Sequence, residues 1–180
     1  NIASCTVMKI KPGKGKIVTS GNSLIPLSPD EIPKRSPDME KTYGKAWVEG
    51  ADWFYGGIGW DLKKGTGCSC WHARISMDLY SRTFAPEIDR NSIAILDTNG
   101  NLITRIGRYG NVDDGKPLIA AGGPSNTRSI GGEEVSFMYG MYPAVQSDKR
   151  LFVSDAGNYR VVSIKLGYQT EEKVPLKDSK

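Results

Sequence analysis

Ser81-Arg82-Thr83-Phe84 leads through to Ile93-Ala94-Ile95-Leu96, and Lys149-Arg150-Leu151-Phe152 leads through to Val161-Val162-Ser163-Ile164. Each copy joins a short strand to a second, β-branched strand through a corner of Asp, Gly, Asn or similar residues. Writing one unit more than once is how a repeat protein builds its fold. Around the first copy, Ala73–Asp78, Thr83–Ala85, Ser92–Leu96 and Leu102–Ile106 read as four short strands separated by turn residues. Asp97-Thr98-Asn99-Gly100-Asn101 closes the last pair as a tight turn, because Asn-Gly tolerates positive φ. Four strands meandering in this way make one propeller blade.

The second blade is expected from Ala144 to Leu176, with Asp155-Ala156-Gly157-Asn158 in place of Glu87-Ile88-Asp89-Arg90. Phe84 and Phe152 stand 68 positions apart, more than the forty-odd residues of such repeats. A Gly/Pro/Asp/Ser-rich insertion at 111–132, from Asn111 to Gly132, accounts for the excess and reads as a surface loop.

Upstream, Thr6–Ile10 and Lys16–Thr19 alternate apolar and polar residues on either side of Pro12-Gly13-Lys14-Gly15, which predicts a hairpin. Pro29, Pro33 and Pro37 then break the segment Ser28–Thr42 into an extended linker, with at most a helical turn near Pro37-Asp38-Met39-Glu40. The organisation is therefore an N-terminal hairpin and linker over 1–44 and a propeller segment over 45–180, with Thr6–Tyr55 a candidate third blade. From Lys45 to Trp60 aromatics alternate with glycines. Trp47, Trp53, Tyr55 and Trp60 either fill the wedge between neighbouring sheets or form a platform on which sugars stack.

With 24 Lys+Arg against 20 Asp+Glu the chain is mildly basic, and this is not a nucleic-acid footprint. The basic stretch Lys9–Lys16 reads as a solvated hairpin tip. No run of about 18 apolar residues is present to span a membrane. The first residue is Asn1, and a processed piece of a longer chain is the expectation. The 21 glycines and 10 prolines favour a turn-dense, all-β architecture over helices.

Cys68, Cys70 and His72 alternate along what reads as a strand, placing three side chains on one face, and Cys5 is the remaining thiol. Three chemistries compete for them. Cys5 can form a disulfide with Cys68 or Cys70. The full set Cys5, Cys68, Cys70 and His72 matches the Cys3His complement of structural zinc. Cys68 and His72 are also spaced like the first and last residues of a haem c attachment motif, with the second cysteine one place early and Met77 a candidate sixth ligand. Among the carboxylates, Glu87, Asp89, Asp113, Asp114, Glu133 and Glu134 cluster most. Their pattern sets no acid–base separation, and turn solvation accounts for them. Asp97–Asn101 and Asp113-Asp114 have calcium-like oxygen spacing but lack the bidentate glutamate of an EF-hand.

Asp155-Ala156-Gly157-Asn158-Tyr159-Arg160-Val161-Val162 resembles the core of an NHL repeat, the blade of one class of β-propellers. Cys68-Ser69-Cys70-Trp71-His72, Leu96–Leu102 and Arg108–Asp113 add a resemblance to the C-terminal region of large secreted NHL-repeat proteins of planctomycete-type bacteria, covering about Gly50 to Leu176. The resemblance implies NHL-like blades and a location outside the cytoplasm, periplasmic or secreted. It is nearly silent on activity, since propellers host scaffolds, binders and enzymes alike. Closed propellers use about four to eight blades, so two or three cannot seal a ring. The expectation is a non-catalytic scaffold or interaction subunit whose ring is completed by other protein chains. The alternatives are a zinc- or haem-carrying redox subunit using Cys68, Cys70 and His72, and a carbohydrate-binding module.

Overall fold

Between Ser76 and Ile106 each expected strand is present. β6 (Ser76–Met77), β7 (Thr83–Glu87), β8 (Ser92–Leu96) and β9 (Leu102–Ile106) form an antiparallel meander in the order β6-β7-β8-β9, blade 1. The computed structural model describes residues 6–21, 27–41, 44–59, 73–111, 135–146 and 149–167. Over these the chain is all-β, and helical structure is confined to three-residue turns. The Asp97 carboxylate fixes the β8–β9 turn by accepting the Asn99 and Asn101 backbone N–H groups at 2.8 Å each, while Gly100 takes φ +80°.

Blade 2 comprises β12 (Gly140–Val145), β13 (Arg150–Asp155) and β14 (Arg160–Lys165) in that order. It starts four residues before the expected Ala144. The remainder of the expected blade, and nearly all of the 111–132 insertion, lie outside the described residues.

The repeat holds down to individual dihedral angles. β7 ends at Glu87 (φ −94°, ψ 82°) and β13 at Asp155 (φ −96°, ψ 83°), each followed by a three-residue 3-10 turn. Asn91 and Tyr159 then reverse the chain in the left-handed region, at φ 54° and 51°. At the preceding tips Ser81 and Lys149 do the same, at φ 59° and 64°. These four are the non-glycine residues with positive φ among those described, and they form two pairs at the repeat spacing.

One core binds the two blades. Phe84, Ile93 and Ile95 of blade 1 pack with Phe137, Leu151, Val153 and Leu166. Phe137 lies on β11 (Ser136–Phe137), which pairs in parallel with β10 (Arg108–Tyr109) between the blades and is fully buried. Burying a side chain of that size stabilises by about 1.5–3 kcal/mol. Gly107 (φ +102°) is needed beside it, because a Cβ there would stand 2.5 Å from the ring.

The N-terminal pairing differs from expectation. β1 (Thr6–Ile10) and β2 (Lys16–Gly21) are strands but do not pair with each other. β1 pairs with β5 (Ala51–Gly56) and β2 with β4 (Gly44–Glu49). One ladder therefore runs on past Gly50, and Pro12-Gly13-Lys14-Gly15 is a looped-out bulge whose turn is closed by Lys14 N–H donating to Lys11 O at 3.0 Å. Gly50 (φ +72°) sits against this bulge, where any Cβ would strike the Lys14 carbonyl.

The linker is also corrected. Its 3-10 turn falls at Pro29–Glu31, where the Ser28 N–H and hydroxyl both donate to Glu31 Oε2, and not at Pro37. Met39–Lys41 is instead β3, an edge strand on β4. Asp38 anchors this crossing by accepting both Arg35 guanidinium nitrogens (2.7 and 2.8 Å) and the Val48 N–H (2.7 Å). The Arg35 hydrogen bond, followed by that of Val48, holds the Asp38 carboxyl below the usual range.

Candidate interaction surface

Cys5, Cys68, Cys70, His72 and Trp60 lie outside the described residues, as do Asp113, Asp114, Glu133 and Glu134. Among the described residues no group of three His, Cys, Asp or Glu side chains could hold a metal. Met77 is 57% exposed on β6. Trp47 is buried, its indole N–H donating to Arg35 O at 2.9 Å. Trp53 turns toward blade 1, donates to Thr98 O at 3.0 Å and lays its ring over Gly100. Tyr55 reaches Glu87. Trp53 and Tyr55 bond to blade 1 while Trp47 is buried beside Arg35, so of the two alternatives for these aromatics the sugar platform finds in Trp47 no open ring face.

Glu87 and Asp155 occupy equivalent corners, and both are buried acids. Glu87 accepts Arg105 Nε at 2.7 Å, Arg105 Nη2 at 3.1 Å, the Tyr55 hydroxyl at 2.9 Å and the Ser92 hydroxyl at 3.0 Å. Burial by itself would raise its pKa. The Arg105, Tyr55 and Ser92 hydrogen bonds outweigh that and leave it lowered. Burial, then the Glu87 hydrogen bond and charge, push the Tyr55 phenol up.

Asp155 is wholly buried and accepts the Met138 and Tyr139 backbone N–H groups (3.1 and 2.8 Å), Asn158 Nδ2 (2.7 Å) and Arg160 Nε (3.2 Å). Arg160 Nη2 continues to Ser136 O at 2.9 Å, and Asn158 Nδ2 to Gly110 O at 3.0 Å. These networks weld each corner to the structure packed behind it. The acids were visible in the sequence; their burial was not, because a carboxylate in a turn usually points to water.

Strand alternation gives each blade two faces. The back face of blade 1 carries Ala85, Glu87 and Ala94 and meets Tyr55. Its front face carries Phe84, Pro86, Ile93 and Ile95 and meets blade 2. In blade 2 the back face holds Leu151, Val153 and Asp155, and the front face holds Phe152, Ser154, Val161 and Ser163 with Tyr142 and Ala144 alongside.

Equivalent front positions differ sharply in exposure. Ile93 is 0% exposed and Val161 68%. Phe84 is fully buried and Phe152 half-buried, and Tyr142 remains 38% exposed. The inner strand shows the complementary gap on the back of blade 1, where Ile75 and Met77 are exposed while the equivalent Pro143 and Val145 are buried and half-buried. Blade 2 thus leaves Val161 and part of Phe152 open where blade 1 covers Ile93 and Phe84. No protein-family model matches the chain, and no curated protein shows significant similarity to it.

Proposed function

We propose that the chain is a non-catalytic scaffold or interaction subunit of a larger assembly outside the cytoplasm, built from NHL-type blades and completed by further protein. The observation that carries this reading is the front face of β12–β13–β14, where Val161 is exposed and Phe152 half-buried while the equivalent Ile93 and Phe84 of blade 1 are fully covered, with exposed Tyr142 and Ala144 alongside. Exposed apolar side chains rimmed by polar residues, as Ser154, Ser163, Arg150 and Lys165 rim these, mark docking sites. The strand–corner–strand pattern around Asp155 and Asn158 supports the blade type, and the welded corners suit a rigid support.

The test is native purification of the tagged protein from its own cells, with light scattering on the eluted species, for wild type and Val161→Glu. The wild type is expected in a defined assembly heavier than 19.7 kDa, and the variant as a free, folded chain. A wild-type protein that elutes alone as a monodisperse monomer overturns the reading.

A further inference from the structure

We infer that Asn99 is a site of spontaneous deamidation, restrained by the Trp53 latch over the β8–β9 turn, and that its conversion to isoaspartate loosens the β1–β5 sheet from blade 1. The inference goes beyond the scaffold reading and does not depend on it.

Glycine is compulsory at position 100. It takes φ +80°, and a Cβ there would stand 2.5 Å from Cδ2 and 2.6 Å from Cγ of the Trp53 indole. The fold thus sets a residue without a side chain directly after Asn99, the one Asn-Gly pair in the sequence. Asn99 itself is exposed. A backbone nitrogen whose own residue has no Cβ is the least hindered nucleophile toward the preceding asparagine side chain, whereas Asn91 and Asn101 are followed by Ser92 and Leu102. As the Gly100 nitrogen gives up its proton to hydroxide, it attacks Asn99 Cγ; the N–Cγ bond forms, the Cγ–Nδ2 bond breaks and ammonia leaves. Water then opens the succinimide at one carbonyl to give aspartate or at the other to give isoaspartate. No electrons change hands, and the rate rises with pH because the nitrogen attacks as its conjugate base.

The turn holds this reaction back. Gly100 N–H donates to Asp97 O at 3.1 Å, the Asn99 and Asn101 N–H groups donate to Asp97 Oδ1 at 2.8 Å each, and Asp97 N–H donates to Asn101 O at 2.9 Å. These bonds fix the backbone on both sides of the Asn99–Gly100 peptide, and closing the succinimide ring requires the torsions there to turn. Trp53 adds a lid. Its ring covers Gly100, and its indole N–H donates to Thr98 O at 3.0 Å, where Lys9 Nζ also donates at 2.9 Å. Attack therefore waits on local opening of the turn, which is less costly at an exposed tip than unfolding of the whole molecule.

The same latch is what the product breaks. Isoaspartate routes the main chain through the former side chain, which adds one methylene between Thr98 and Gly100. The bonds from Gly100 and Asn101 to Asp97 must then span a longer path, and Gly100 is displaced from beneath the indole. Two of the hydrogen bonds that tie the β1–β5 sheet to blade 1 end on Thr98 O, so the sheet loses its hold there while Tyr55 keeps Glu87.

The test holds the full chain folded in neutral and in mildly alkaline buffer, beside the same chain in urea, and maps isoaspartate by peptide analysis and methyltransferase labelling. Folded wild type is expected to gain isoaspartate at Asn99, faster at the higher pH and several-fold more slowly than the unfolded chain. Trp53→Ala should convert about threefold faster than wild type or more, since the open turn is the reactive species; Trp53→Phe, which keeps a ring and drops the N–H, gives the same direction if the alanine variant fails to fold. Asn99→Gln should give no signal at this position. The converted fraction, separated by its added negative charge, should exchange the amide hydrogens of β1 and β5 faster while those of β7 and β8 are unchanged. Equal rates in wild type and the folded Trp53 variant overturn the inference, as does no isoaspartate in either over a period in which the unfolded chain converts. A converted fraction whose β1 and β5 amides exchange as before overturns it too.

Discussion

Replacing Asp155 by alanine should be among the most damaging single changes in the molecule. Its carboxylate is wholly buried and satisfies four donors: two backbone N–H groups, the Asn158 amide and the Arg160 guanidinium. Truncation removes this acceptor from all four, and although Asn158 keeps Gly110 O and Arg160 keeps Ser136 O, the Arg160 cation loses its counter-charge. Removing one member of a buried ion pair costs about 3–5 kcal/mol, since the partner is left charged and desolvated. The abandoned backbone donors push the value to the upper part of that range unless water enters. A loss of about 4 kcal/mol is a large share of the 5–15 kcal/mol that stabilises a domain. With a urea slope of about 2 kcal/mol/M, the unfolding midpoint should fall by about 2 M at unchanged slope. Asp155→Asn keeps the shape and one acceptor oxygen and should lose about half as much. Asp89→Ala, at an exposed position in the matching corner, should stay within about 0.5 kcal/mol of wild type. If Asp155→Ala moves the midpoint by less than about 0.5 M, the carboxylate is not what secures the corner.

Glu87 makes stability depend on acid. Its pKa is lowered in the folded state, so its contribution is fully present above the ordinary glutamate range and is lost as pH falls through the folded value. Urea midpoints taken from about pH 7 to about pH 3 should drop less steeply for Glu87→Gln than for wild type, Arg105, Arg90 and Tyr55 being the groups that face the charge; parallel curves would refute the assignment. Gly50→Ala should cost about 2 kcal/mol or more, through positive φ and collision with the Lys14 backbone, whereas Gly13→Ala, with similar φ and open space, should cost only about 1 kcal/mol. Equal thermal shifts for the two would show that the bulge yields freely.

The blades were legible because their pairings are local. Residues 76–106 form a meander in which each strand finds its neighbour across a short turn, and turn residues such as Asp97 and Gly100 declare themselves by type. The N-terminal pairings were not legible for the opposite reason. Pro12-Gly13 carries the same local signal whether the chain doubles back or loops out and resumes, and only β4 and β5, more than twenty residues downstream, decide between the two. Pro37 misled in a similar way, because the strand after it is held by Asp38 and Arg35 reaching Val48, a tertiary contact. At the candidate surface, Phe152 and Val161 were readable as strand residues. Which face each would present, and that this face would lie open, follows only from comparing the two blades in space.

The paired corners at 88–91 and 156–159 share a backbone path while differing at every equivalent position: Ile-Asp-Arg-Asn in one, Ala-Gly-Asn-Tyr in the other. The path follows the ladders on either side, and each corner anchors it with its own buried residue, Ile88 in one and Asn158 in the other. Tyr159, 98% exposed, adopts the same left-handed reversal as Asn91 without a local reason to prefer it. The path is shared but the occupants are not exchangeable: Ile88 and Asn158 are buried, Asn158 donates to Asp155 and Gly110 O, and a Cβ at Gly157 would stand 2.8 Å from Met138. An engineer adding loops of foreign sequence to this frame would splice at the exposed Asp89 or Tyr159 and leave Ile88, Gly157 and Asn158 in place.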